Sequence, residues 1–188
     1  HSLSWSPDGS RIVFASNRSA DPDNDHSDDL WTVEIATGEV ERLTETEATE
    51  YSPAWSPDGR RVAFRGNVRP RNTKDSSAED SQLFVLELAD GSRRSLTAEF
   101  DRRVGALQWD PRGNAIYFTA PNHGTTHVYR ADLGTGEVRA VTRGDVQVRS
   151  FSLDARWRTV AWIQSSVTEP PEVWVARADG TRARRLTR

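Results

Sequence analysis

Trp55-Ser56-Pro57-Asp58-Gly59-Arg60-Arg61-Val62-Ala63-Phe64 reads as the end of one strand, a tight turn and the start of the next. Proline presets the first central residue of the turn, aspartate bonds back to its own main chain, and glycine accepts the left-handed position. The same phrase stands earlier as Trp5-Ser6-Pro7-Asp8-Gly9-Ser10-Arg11-Ile12-Val13-Phe14. It returns, eroded, as Trp109-Asp110-Pro111-Arg112-Gly113-Asn114-Ala115-Ile116-Tyr117-Phe118. A fourth copy is Leu153-Asp154-Ala155-Arg156-Trp157-Arg158-Thr159-Val160-Ala161-Trp162. There Trp157 stands where the turn glycine belongs. A bulky side chain at positive φ is costly, so a different turn is expected, with Trp157 packed outward on a partner surface.

Around each turn lie four strand-sized pieces. The first ends at the turn. The second follows it, as Ile12–Ala15, Val62–Phe64, Ile116–Phe118 and Val160–Ile163. The third is Leu30–Ile35, Leu83–Leu88, Val128–Leu133 and Val173–Ala176. A glycine turn then leads to a short fourth strand closing on Leu43-Thr44, Leu96-Thr97, Val141-Thr142 and Leu186-Thr187. The second and third strands mix alternation with continuous apolar runs, as strands covered on both faces do. Copies roughly 45–55 residues apart fall in the period range of propeller blades. The expected fold is an all-β propeller of four-stranded antiparallel blades, with four blades at about 1–46, 47–99, 100–144 and 145–188. Four is at the low limit for closure. The chain therefore reads as part of a seven- or eight-bladed ring, cut at repeat boundaries, whose exposed terminal blades invite self-association.

The totals agree with a core assembled from many short pieces: 35% of the 188 residues are apolar and 28% charged. No apolar run approaches a membrane span, and the first residues carry no signal-peptide pattern. Cysteine is absent, which excludes disulfides and thiolate metal sites. A net charge of −3 offers no basic footprint for nucleic acid. Neither a nucleic-acid nor a membrane partner is expected, and no cofactor.

Two repeats carry long insertions between the second and third strands, at residues 17–29 and 66–80. In an up-and-down blade these loops share one end with the links between blades, and variable charged loops are where repeat proteins usually place function. The first insertion holds Asp21, Asp23, Asp25, Asp28 and Asp29. Alternating aspartates, Asp21, Asp23 and Asp25 above all, resemble the start of a Ca²⁺ loop. The turn glycine and closing glutamate of such a loop are missing, so a solvated, strand-capping loop is the simpler reading. The second insertion region supplies Arg65, Arg69, Arg71 and Lys74. Planar guanidinium forks suit a peptide carboxylate or an acidic domain surface. The alternative is pairing with Asp75, Glu79 and Asp80. His123 and His127 read as a polar loop before the third strand rather than as a metal pair. The recurrence of Trp5, Trp55 and Trp109 at one repeat position, and of Trp31 and Trp174 at another, indicates packing.

The phrase Pro53-Ala54-Trp55-Ser56-Pro57-Asp58-Gly59-Arg60-Arg61-Val62-Ala63-Phe64, with its closing Leu-Thr, resembles the repeat of two families. One is the periplasmic TolB-type propeller. The other is the propeller of prolyl-oligopeptidase-family serine peptidases, especially acylaminoacyl-peptidase-like members. The loop Asp21-Pro22-Asp23 to Asp29-Leu30-Trp31 resembles one in the peptidases, as does the ending Ser165-Ser166-Val167-Thr168-Glu169-Pro170-Pro171-Glu172-Val173-Trp174. That ending resembles the last blade before an α/β-hydrolase domain. No Gly-x-Ser-x-Gly elbow is present, and none of His1, His26, His123 and His127 has the context of a triad base. The peptidase resemblance therefore implies a non-catalytic propeller that gates and positions a peptide substrate for a missing hydrolase domain, in the cytoplasm. The TolB resemblance implies a periplasmic protein-binding propeller.

Overall fold

The computed structural model describes residues 2–22, 24, 25, 27–69 and 81–187. Among them there are sixteen strands and no helix. They form four successive antiparallel meanders. The first runs β1 (Leu3–Trp5), β2 (Arg11–Ser16), β3 (Asp29–Glu34) and β4 (Val40–Arg42). The second runs β5 (Glu50–Trp55), β6 (Arg61–Gly66), β7 (Gln82–Glu87) and β8 (Arg93–Ser95). The third is β9 (Leu107–Trp109), β10 (Ala115–Asn122), β11 (Thr125–Asp132) and β12 (Val138–Ala140). The fourth is β13 (Gln147–Leu153), β14 (Thr159–Ser165), β15 (Glu172–Arg177) and β16 (Arg184–Arg185). A single parallel bridge, Thr126 to Gln147, joins the last two into one sheet. The chain divides into two compact units, residues 1–101 and 102–188, with two meanders in each.

The repeated turn forms as its residues dictate. Asp58 Oδ1 accepts from the Ser56 hydroxyl at 2.6 Å and from the Arg60 amide at 3.1 Å. The Ser56 hydroxyl accepts from the Arg61 amide at 2.9 Å, and Gly59, at φ 70°, donates to the Ser56 carbonyl at 3.0 Å. The Leu-Thr phrase also has a cause within its own repeat. The hydroxyls of Thr44, Thr97, Thr142 and Thr187 accept from the amides of Leu30, Leu83, Val128 and Val173, each at 2.9 Å. Each threonine thus satisfies a third-strand N–H at the point where the short fourth strand leaves its partner.

In the fourth repeat the expectation of a different turn is overturned. Trp157 takes the glycine position of the same turn, at φ 55°, and donates to the Asp154 carbonyl at 2.8 Å. Asp154 Oδ1 over-determines the turn by accepting from the amides of Arg158 and Thr159 at 2.7 and 2.8 Å. The side chain has a surface within its own unit. The indole is half-buried and packs against its own unit's core, a cluster that includes Val148, Leu153, Val160 and Trp162. That burial offsets a left-handed strain of about 1–2 kcal/mol.

Each unit has its own core. In residues 1–101, Val13 and Leu30 of the first meander pack on Trp55, Val62, Phe64 and Leu86 of the second. The other face of the first meander carries Leu3, Trp5, Ile12, Phe14, Trp31 and Val33 in register. Trp5 is 54% exposed where its repeat partner Trp55 is 6% exposed. The packing expectation thus holds for Trp55 and Trp109 and fails for Trp5, because no meander covers that face among the described residues. In residues 102–188, Tyr117 and Val128 pack on Val148, Val160, Trp162 and Ala176. Here β10 and β11 run beyond the expected strand pieces, to a tight turn with His123 at φ 46° and Gly124 at φ 83°. His127 is therefore a buried strand residue and not part of a loop.

Candidate functional site

The insertion between β2 and β3 returns to the same end of the first unit as the link between meanders, because Asp28 bridges Thr49 in parallel. Polar side chains gather at this end. Asp29 opens β3 and is buried, pairing with Arg42 Nη2 at 2.5 Å and accepting from the Thr46 amide at 3.0 Å. Arg42 also donates to the Thr44 carbonyl at 2.9 Å and lies over the Trp31 ring at 5.6 Å. Arg18, from the insertion, lies over the same ring at 5.2 Å. Such guanidinium contacts each contribute about 0.5–1 kcal/mol at exposed sites, and they fix the root of the loop.

Of the residues expected to grip a carboxylate, Arg65 and Arg69 are described, while Arg71 and Lys74 lie outside the described residues. Arg65 is on β6, over the Tyr51 ring at 4.6 Å, and donates to the Ser52 hydroxyl at 2.6 Å. Burial pushes its guanidinium pKa down. Ser52 stands at φ 55° inside a β-bulge of β5, immediately before Pro53. A non-glycine residue there is strained. Arg65 is thus engaged in holding that bulge, whereas Arg69 is exposed beyond the end of β6. Of the expected Ca²⁺ ligands, Asp23 lies outside the described residues. Asp21 accepts from the Asn24 side chain at 2.8 Å, and Asp25 accepts from the Ser27 amide and hydroxyl at 2.9 and 2.6 Å. Both carboxylates serve local turns. Among the described residues no three His, Cys, Asp or Glu side chains are grouped to hold a metal ion.

His127 has both ring nitrogens near threonine hydroxyls, Thr125 at 3.0 Å and Thr142 at 3.3 Å. Burial pushes its pKa down. A neutral imidazole between two hydroxyls, with no carboxylate hydrogen-bonded to it among the described residues, is a packing element rather than a triad base.

Glu50 escaped the sequence reading. It is 1% exposed, accepts from the Thr44 hydroxyl, and pairs with Arg93 Nη1 at 2.5 Å. The signal was available: Glu50 stands as far before Trp55 as Val104 and Val148 stand before Trp109 and Leu153, and both valines are buried. Burial pushes the Glu50 carboxyl up, the nearby Asp29 adds to this, and Thr44 and Arg93 oppose it. The native state therefore holds this proton more tightly than the unfolded chain. The resulting stability is complete below the unfolded carboxyl range of about 4.3 and is lost as pH rises through the native value. Glu50→Gln removes the titration. The variant is expected to match the wild type near pH 4 and to exceed it near pH 8, by about 1.4 kcal/mol for each tenfold difference in proton affinity. Denaturant midpoints at both pH values measure this, and a variant less stable at the higher pH contradicts it.

The family model described as the TolB beta propeller domain matches residues 24–188. Dipeptidyl-peptidase 5 of Porphyromonas gingivalis is 31% identical over 153 residues, covering 80% of this chain; the chain spans 22% of that relative's length. An acylaminoacyl peptidase of Pyrococcus horikoshii superposes over all of this chain and 27% of its own, with a TM-score of 0.74 and 23% identity. An oligogalacturonate lyase solved in complex with manganese superposes over all of this chain and 53% of its own, at a TM-score of 0.77 and 18% identity. At such identities the solved structures speak to the fold alone. The repeat, the antiparallel meanders and the family match agree, and the chain belongs to the TolB beta propeller domain family.

Proposed function

We propose that this chain is the non-catalytic propeller segment of a serine peptidase of the acylaminoacyl-peptidase or oligopeptidase type. It gates and positions peptides for an α/β-hydrolase domain carried elsewhere in the parent protein. Its four meanders are then four blades of a seven- or eight-bladed ring. The observation that carries this reading is the 31% identity to a dipeptidyl-peptidase over 80% of the chain. The sequence is consistent with a division of labour, since it holds no nucleophile elbow of its own. Arg69, Arg71 and Lys74 are the residues proposed to hold the peptide carboxylate, with Arg65 supporting them through the Ser52 bulge.

A second reading follows from the family model's TolB description: a protein-binding propeller, periplasmic rather than cytoplasmic, with no hydrolase attached. One experiment separates the two. Source-cell extract is labelled with a fluorophosphonate serine-hydrolase probe and blotted with an antibody against this chain. The peptidase reading expects one band, several times heavier than the chain, that carries both signals. In that parent, Arg69→Ala with Arg71→Ala is expected to raise KM for short peptides several-fold at nearly constant kcat. An antibody band that never carries the probe rejects the peptidase reading and leaves the binding propeller.

A further inference from the structure

At the tight-turn end of residues 102–188, the third and fourth meanders leave a cavity of about 540 Å³ between them. This is the volume of a small-molecule site. Five arginines line it: Arg112, Arg130, Arg139, Arg156 and Arg158. They face three carboxylates, and two of these are engaged by their own turns. Asp110 accepts from the Arg112 amide at 2.7 Å, and Asp179 accepts from the Thr181 amide and hydroxyl at 2.9 and 2.6 Å. Arg130 is paired with Asp132 at 3.0 Å. Among the described residues the other four guanidinium groups have no ion pair.

Two departures from the repeat meet at this cavity. Arg130 on β11 sits directly opposite Arg139 on β12. Like charges facing each other across strands are destabilising. The corresponding pairs in the other meanders are Thr32 with Glu41, Val85 with Arg94, and Val175 with Arg184, none of which sets two charges of one sign together. The second departure is Trp157, held at φ 55° with its indole forming part of the cavity wall. Strain that persists at a cleft is a pointer to function. Here the two unfavourable choices produce one result, a cationic pocket with an aromatic wall.

We propose that this cavity binds a small molecule bearing at least two anionic groups, carboxylate or phosphate, with its body against Trp157. Guanidinium forks suit both groups. The proposal does not depend on the peptidase reading, because the cavity is built from this unit alone. Calorimetric titration of the 188-residue chain with citrate and with inorganic pyrophosphate is the test. Binding of one molecule per chain is expected for at least one probe, and the tighter probe identifies the anionic group. The affinity should fall as salt rises from about 50 to 500 mM. Arg139→Ala separates binding from folding: it removes the opposed charge, so the melting temperature should hold or rise while affinity falls at least about tenfold. Trp157→Gly suits the turn's positive φ and should weaken citrate, which has a carbon body, more than pyrophosphate, which has none. Absence of heat with both probes, or an Arg139→Ala protein that binds as tightly as the wild type, overturns the proposal.

Discussion

Phe64→Ala is expected to destabilise residues 1–101 by about 3–5 kcal/mol, the range for emptying a buried aromatic site. Phe64 lies in the middle of β6 and is fully buried. Its ring stacks on Phe84 at 5.4 Å and 15°. It belongs to the cluster in which Val13 and Leu30 of the first meander meet the second, so truncation weakens both the sheet and the contact between sheets. The site cannot easily collapse, because the neighbours are strand residues pinned by their ladders. Phe14 occupies the same repeat position and supplies the control. It is only half-buried, on the face that no meander covers among the described residues, so Phe14→Ala should cost clearly less. Urea unfolding of both variants measures the difference. Because the chain divides into two compact units, a probe within the first unit, such as exchange protection of the Phe64 neighbours, should accompany it. Equal losses for Phe14→Ala and Phe64→Ala would contradict the assignment of the core.

The contrast between Phe14 and Phe64 also marks how far the sequence is legible. The turn phrase reports the strands on either side of it because its causes are local: proline, aspartate and glycine act within a few residues. The Leu-Thr phrase acts within one repeat, and its hydrogen bond, spanning 14 residues, recurs at 2.9 Å in all four repeats. Which face of a repeat is covered is not local. Trp5 and Trp55 are both followed by Ser-Pro-Asp-Gly and have opposite exposures.

Sites were harder to read than strands for the same reason. Arg65 belongs by sequence to a basic run, yet its side chain is drawn back onto Tyr51 and Ser52 across the sheet. Glu50 shows itself only when the repeats are aligned and a carboxylate appears in a valine position. The arginine cavity has no contiguous motif. Its parts come from the turn after β9, the turn after β13, the β11–β12 pair and the turn after β15. Only Trp157 marks it in the sequence, where its bulk suggests that the backbone should yield. The backbone keeps its turn, because Asp154 fixes it and the indole has a core to enter.

Gly180→Ala is expected to cost residues 102–188 about 3 kcal/mol or more, for two separable reasons. Gly180 stands at φ 85° in the turn between β15 and β16, a region alanine enters only with strain. An added Cβ would also overlap the carbonyl oxygen of Val141, with the Val141 carbonyl carbon at 3.1 Å and its Cα at 3.2 Å. The obstacle is backbone, so no rotamer change relieves it. Val141 follows β12 and is buried in the unit's core. Relief therefore requires the fourth meander's turn to move away from the third, loosening the packing that Tyr117 secures by donating to the Ala178 carbonyl at 3.0 Å. Gly91→Ala isolates the first reason. Gly91 holds the corresponding turn of the second meander at φ 70°, and a methyl group added there would meet nothing within 4 Å. Its cost should be about 1 kcal/mol, the conformational part alone. If the two substitutions prove equally mild in thermal and urea unfolding, the close approach of Gly180 to Val141 is not what sets the spacing of these two meanders. If Gly180→Ala is several-fold the more damaging, the turn glycine of the fourth repeat is retained for a backbone contact, and the same contact keeps the turn after β15 in place as one wall of the arginine cavity.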